Sequence, residues 1–93
     1  MFNRKLRQRL LVEAAIMKDQ GHAAFTLEMI NYRTSRVEVG ELMPTKKLEQ
    51  QLDRLVAQGL LIQLVPDSNR SLWQYRLTES GQARAESLGL QSA

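Results

Sequence analysis

The chain has no cysteine, which removes disulfides, thiolate metal sites and thiol catalysis at once and is compatible with a reducing cytosol. Aromatic residues make up 5% of it, and of these Trp73 and Tyr75, at strand spacing, are read as core or near-core side chains. There are two prolines and five glycines, and Pro44, Gly21 and Gly59 fall at the ends of periodic segments where breaks are needed. No apolar run approaches the roughly 20 residues of a membrane helix, and Met1 to Leu11 lacks the charged-then-apolar order of an export signal, so a cytoplasmic protein is expected. A single histidine, His22, follows a glycine at a helix end; with no second histidine nearby it makes no metal site and reads as a turn residue. No Ser-His-Asp spacing, phosphate loop or carboxylate pair in an apolar segment is present. Neither an enzyme nor a cofactor is implied.

What remains is an ordinary globular composition, 43% hydrophobic and 25% charged over 93 residues, which suits one small domain spanning residues 1–93. The formal net charge of +3 is concentrated at the start. Arg4, Lys5, Arg7, Arg9 and Lys18 oppose Glu13 and Asp19 in the first twenty residues, and this excess equals the whole net charge. The basic start supports two readings, phosphate contacts from Arg4, Lys5 and Arg7 or a solvated helix face, and composition does not separate them.

The second half is the more explicit. Leu48, Leu52, Leu55 and Val56 form one stripe of an amphipathic helix over about 45–58, with Lys46, Lys47, Glu49, Gln50, Asp53 and Arg54 pointing elsewhere. Pro44 suits the first turn of that helix and Thr45 is an equally good opening residue. Gly59 closes it in the left-handed conformation, and a β-prone run from Leu60 to Val65 follows. Pro66 to Ser71 is dense in turn formers, and Leu72 to Leu77 is a second strand. Trp73, Tyr75 and Leu77 are expected to face the core, joined by Ile62 and Leu64 from the first strand. Thr78 caps a last helix over about 79–89 that begins with Glu79, leaving 91–93 as a frayed tail.

The first half gives a helix from Arg4 to Lys18, capped by Asn3, with Leu6, Leu10, Ala14 and Met17 on one face and an end at Asp19–His22. Ala24 to Thr26 suits a short strand. Thr26 then caps a second helix over about Leu27 to Thr34, whose core face includes Leu27, Ile30 and Val37, and a long connection from Ser35 to Met43 follows. Met29 and Met43 are read as gap fillers.

Helix, glycine, hairpin and cap in this order resemble the recognition helix, wing and following helix of winged helix-turn-helix transcription regulators of the MarR and PadR kind. The resemblance covers residues 44 to 88 and rests on Leu52-Asp-Arg-Leu-Val-Ala-Gln-Gly-Leu-Leu61, on Arg70 in the wing, and on Tyr75-Arg-Leu-Thr-Glu-Ser-Gly81. It implies an α+β, mostly α, winged helix-turn-helix with a two- or three-stranded wing sheet. It also implies double-stranded DNA as partner, with repression favoured over activation. Lys46, Lys47, Gln50 and Gln51 are then the residues to reach base edges in the major groove, and Thr45 and Arg54 suit phosphate. Arg70 at the hairpin tip is placed for the adjacent minor groove or its backbone. A domain of this size makes few contacts, so a homodimer through the first helix, the last helix or both is expected, covering Leu88 and Leu90. No small-molecule effector is suggested. Two other functions share the pattern: a protein–protein interaction module, which the nearly neutral reading helix favours, and a DNA-remodelling or replication accessory factor.

Overall fold

The computed structural model describes residues 2–38, 45–64, 69 and 73–92, with backbone alone at 2, 3, 35–38 and 90–92. Its elements run α1 (Phe2–Asp19), β1 (Phe25–Thr26), α2 (Leu27–Glu38), α3 (Thr45–Ala57), β2 (Leu61–Leu64), β3 (Gln74–Leu77) and α4 (Glu79–Ser92). The three strands form an antiparallel sheet in the order β1-β3-β2, with Phe25 opposite Tyr75 and Leu61 opposite Leu77. Three helices, a hairpin and a closing helix around one core make a winged helix-turn-helix, the architecture expected.

Local chemistry sets most of the boundaries. α1 and α3 both end on a glycine at positive φ, Gly21 at 99° and Gly59 at 76°. In each case the residue after the glycine donates to a carbonyl five residues back, His22 to Met17 and Leu60 to Leu55, which satisfies acceptors the helix end leaves open. The Thr26 hydroxyl accepts from the Met29 amide at 3.3 Å and so caps α2. The Thr78 hydroxyl accepts from the Gly81 amide at 2.9 Å and donates to the Gly59 carbonyl at 2.7 Å, tying the start of α4 to the end of α3.

The core is a single cluster with Tyr75, Leu10, Met17, Ile30, Leu48, Leu52 and Leu55 at its centre. The rings of Phe25 and Tyr75 stack at 5.8 Å between centroids, which joins β1 to the hairpin through its two innermost aromatics. Trp73 packs against the same cluster from a half-buried position.

Five expectations are corrected. α1 begins at Phe2, ahead of the proposed Asn3 cap. α2 runs to Glu38 instead of stopping near Thr34, so the long connection is reduced to 39–44, which lies outside the described residues together with Met43 and the first candidate start at Pro44. α4 continues to Ser92, through Gly89, which does not take the positive φ that would end it, so 91 and 92 are helical. Ile62 and Leu64 face away from the core, each 40% exposed, while Leu61 is buried and Gln63 half-buried. Register is the cause: Leu61 and Gln63 pair with Leu77 and Tyr75, and with a side-chain period of two the buried face of β3 dictates that of β2. Glu13 was counted only as an offset to surface charge. It is 5% exposed, and its carboxylate accepts from Arg33 Nε of α2 at 3.0 Å, with Arg9 Nε 3.8 Å from its other oxygen. The Val37 side chain, the wing turn apart from Asn69, and the Leu90 side chain lie outside the described residues.

Candidate nucleic-acid interface

The amphipathic pattern of α3 divides it cleanly. Leu48, Gln51, Leu52 and Leu55 are buried, at spacings of three, one and three, so they lie along one stripe. Thr45, Lys46, Lys47, Gln50, Asp53 and Arg54 are exposed, and Glu49 and Val56 occupy the flank. Lys46, Gln50 and Asp53, at steps of four and three, mark the middle of the outer face. A rod of thirteen residues, roughly 20 Å long, is therefore anchored along one side and presents a polar side of alternating sign outward. Lys46, Lys47 and Arg54 exceed Glu49 and Asp53 by one positive charge, so the face exerts a weak general field and any anion it holds is held by particular contacts.

Gln51 does not belong with that outer set. It is 2% exposed, and its amide oxygen accepts from Arg7 Nη1 of α1 at 2.9 Å. Four residues from Leu55 and three from Leu48, it sits on the stripe that the leucines define, and a buried amide there needs a partner, which Arg7 supplies. Long polar character was the wrong criterion for exposure; position on the helix was the right one.

The basic start of α1 is placed away from the N-terminal end of α3. Arg4 and Lys5 are exposed and Arg7 is half-buried. Arg4 and Arg7 line a cleft with Leu55, Gln58 and Leu60, so they gather at the C-terminal end of α3, whereas Thr45 and Lys46 open its other end. Arg84 of α4 joins them there, a residue the sequence reading passed over because Arg4 and Arg7 are more than seventy positions away in the chain. Arg70 lies outside the described residues. No helix among the described residues is long and apolar enough to cross a membrane.

The same arrangement is found in proteins of known structure. A MarR family transcriptional regulator from Silicibacter pomeroyi superposes with a TM-score of 0.67 at 22% identity, over 94% of this chain and 52% of that one. A MarR family regulator from Neisseria meningitidis gives 0.63 at 21% identity, over 90% and 53%. A MepR like protein complexed with pseudoligands gives 0.62 at 17% identity, over 87% and 51%. This chain thus spans about half the length of each of these proteins. No family model matches the sequence, and no curated protein matches it significantly. The fold is that of the winged helix-turn-helix unit of MarR family regulators.

Proposed function

We propose that this chain is a sequence-specific double-stranded DNA-binding transcription regulator, acting as a repressor, which lays α3 in the major groove and its wing on the adjacent backbone or minor groove. The observation that carries this reading is the division of α3: four buried residues fix the helix, and Thr45, Lys46, Lys47, Gln50 and Arg54 are left outward from its first turn onward. Lys46, Lys47 and Gln50 reach for base edges, Thr45 and Arg54 for phosphate, and Arg70 for the neighbouring groove. The solved proteins of like fold, one named as a MarR family transcriptional regulator and one as a MarR family regulator, support the same role. Two copies on a symmetric site, joined through α1 and α4, supply the contact area that one copy lacks.

The test is a fluorescence-anisotropy titration of duplex DNA against ionic strength. Wild-type affinity falls steeply with salt. Arg54→Ala weakens binding to all duplexes and reduces the salt slope by about one, whereas Gln50→Ala leaves the slope unchanged and flattens the preference among sites selected from random oligonucleotides. A wild-type chain that ignores duplex DNA at low salt overturns the reading. The competing role, a protein-interaction module, draws on Asp53 at the centre of the outer face and the single residual positive charge there; it is the reading left if binding fails.

A further inference from the structure

The cleft at the far end of α3 is a site in its own right. Its volume is about 270 Å³, below the roughly 300–1,000 Å³ that drug-sized ligands occupy. Arg4, Arg7 and Arg84 contribute three guanidinium groups, Leu11, Leu55 and Leu60 supply the apolar part of its lining, and none of the lining residues is acidic. Among the described residues Arg4 and Arg84 have no carboxylate partner.

Arg7 gives the cleft a fixed element. Its Nη1 donates to the Gln51 oxygen, and Gln51 is itself held in the buried stripe of α3, so this guanidinium is oriented before any ligand arrives. One donor is spent on that bond; a guanidinium has four more, arranged in a planar fork that matches the spacing of oxygens on a tetrahedral or planar anion. Three arginines from two helices line the cleft with no carboxylate among the lining residues, so an anion placed there meets only positive charge.

We propose that Arg4, Arg7 and Arg84 form a binding site for a small multivalent oxyanion, a phosphate group above all, at the junction of α1, α4 and the end of α3. The site is separate from the DNA-reading face, because it adjoins Gln58 and Leu60 and not Thr45 and Lys46. Free phosphate and the phosphate of a nucleotide share the required chemistry. Through Arg7 and Gln51 the bound anion stiffens the seat of the reading helix.

The experiment is thermal unfolding of the whole chain in inorganic phosphate, in adenosine monophosphate, and in sodium chloride at matched ionic strength, for wild type and for the double variant Arg4→Gln, Arg84→Gln. Both substituted residues are exposed, so the variant folds in chloride as wild type does. At ten times the dissociation constant one site multiplies the folded-to-unfolded ratio about elevenfold, a rise of several degrees for a domain of this size. The expected result is that rise in phosphate for wild type and its loss in the variant. A larger rise in the nucleotide at equal concentration identifies a nucleotide as the source, and an equal or smaller one identifies free phosphate. The same rise in wild type and variant, or no rise beyond chloride, overturns the proposal. So does a duplex-binding salt slope that falls by about one for each arginine removed, because the arginines then belong to the DNA contact. None of the unfolding measurements involves DNA, so they stand whether or not the chain binds it.

Discussion

Gly81 is the most closely surrounded of the described glycines, and replacing it by alanine gives a sharp quantitative test of the fold. It lies in the first turn of α4, where its amide is held by the Thr78 hydroxyl. A Cβ built there meets the Leu60 carbonyl oxygen, comes within 2.8 Å of Leu77 Cδ2 and lies 3.0 Å from the Leu60 carbonyl carbon. Two of these neighbours are backbone in the turn that closes α3, itself pinned by the Thr78–Gly59 hydrogen bond, so they cannot swing aside as a side chain would. Overpacking costs up to about 3 kcal/mol where relief requires backbone movement. Alanine returns about 1 kcal/mol over glycine in a helix. The net is a loss of about 2 kcal/mol, equivalent to a fall in Tm of roughly 8–16 °C for a domain of this length. Gly89→Ala is the control, because nothing lies within 4 Å of a Cβ there and the residue is helical, and it raises Tm by a few degrees. Gly59→Ala falls between the two: its surroundings are open but its φ is +76°, which costs about 1 kcal/mol. Far-UV circular dichroism on heating and urea titration with fixed m-value give the order Gly89→Ala above wild type, then Gly59→Ala, then Gly81→Ala. A Gly81→Ala protein as stable as wild type refutes the joint between α3 and α4 as described.

Three further outcomes are expected. Thr78→Ala removes both an accepted and a donated hydrogen bond at that joint and costs about 1–2 kcal/mol, measured by the same urea titration. Arg33→Ala leaves the Glu13 carboxylate buried with only Arg9 at 3.8 Å, a loss on the order of 2–3 kcal/mol, whereas Glu13→Gln stays within about 1 kcal/mol because the amide oxygen still accepts from Arg33. Gln51→Leu, a change of similar volume on the buried stripe, leaves stability within about 1 kcal/mol and duplex affinity unchanged, while Gln50→Ala one residue away alters site preference; equal effects on DNA from both positions contradict the assignment of faces.

The elements were legible where local chemistry decides them. Two glycines at positive φ, threonine caps at Thr26 and Thr78, and leucine spacing in α3 are properties of a few adjacent residues, and each placed its boundary within a residue or two. The expectations that failed depended on partners distant in the chain. Ile62 and Leu64 are as apolar as Leu61, and their own segment contains nothing to choose the buried face; Tyr75 and Leu77, across the hairpin, choose it. Glu13 reads as one more surface charge until Arg33, twenty residues on, is brought against it. Gly40 stands two residues past the end of α2, the spacing that Gly21 and Gly59 have from the ends of α1 and α3, so here a local stop signal was present in the sequence and was passed over.

The candidate site shows the same division between local and distant information, and this explains why its weakest assignment was Gln51. Base-reading residues were chosen as the long polar side chains of α3, a criterion that ignores the helical period once the leucines have been assigned. The period alone places residue 51 between 48 and 55 on the inner stripe, and only the identity of Arg7, forty-four positions earlier, explains why an amide is tolerable there. The hydrogen bond has a consequence for how α3 is held. The leucines hold the helix by close packing, and the directional bond from the Arg7 guanidinium to one amide oxygen adds a preference for a single rotation of it.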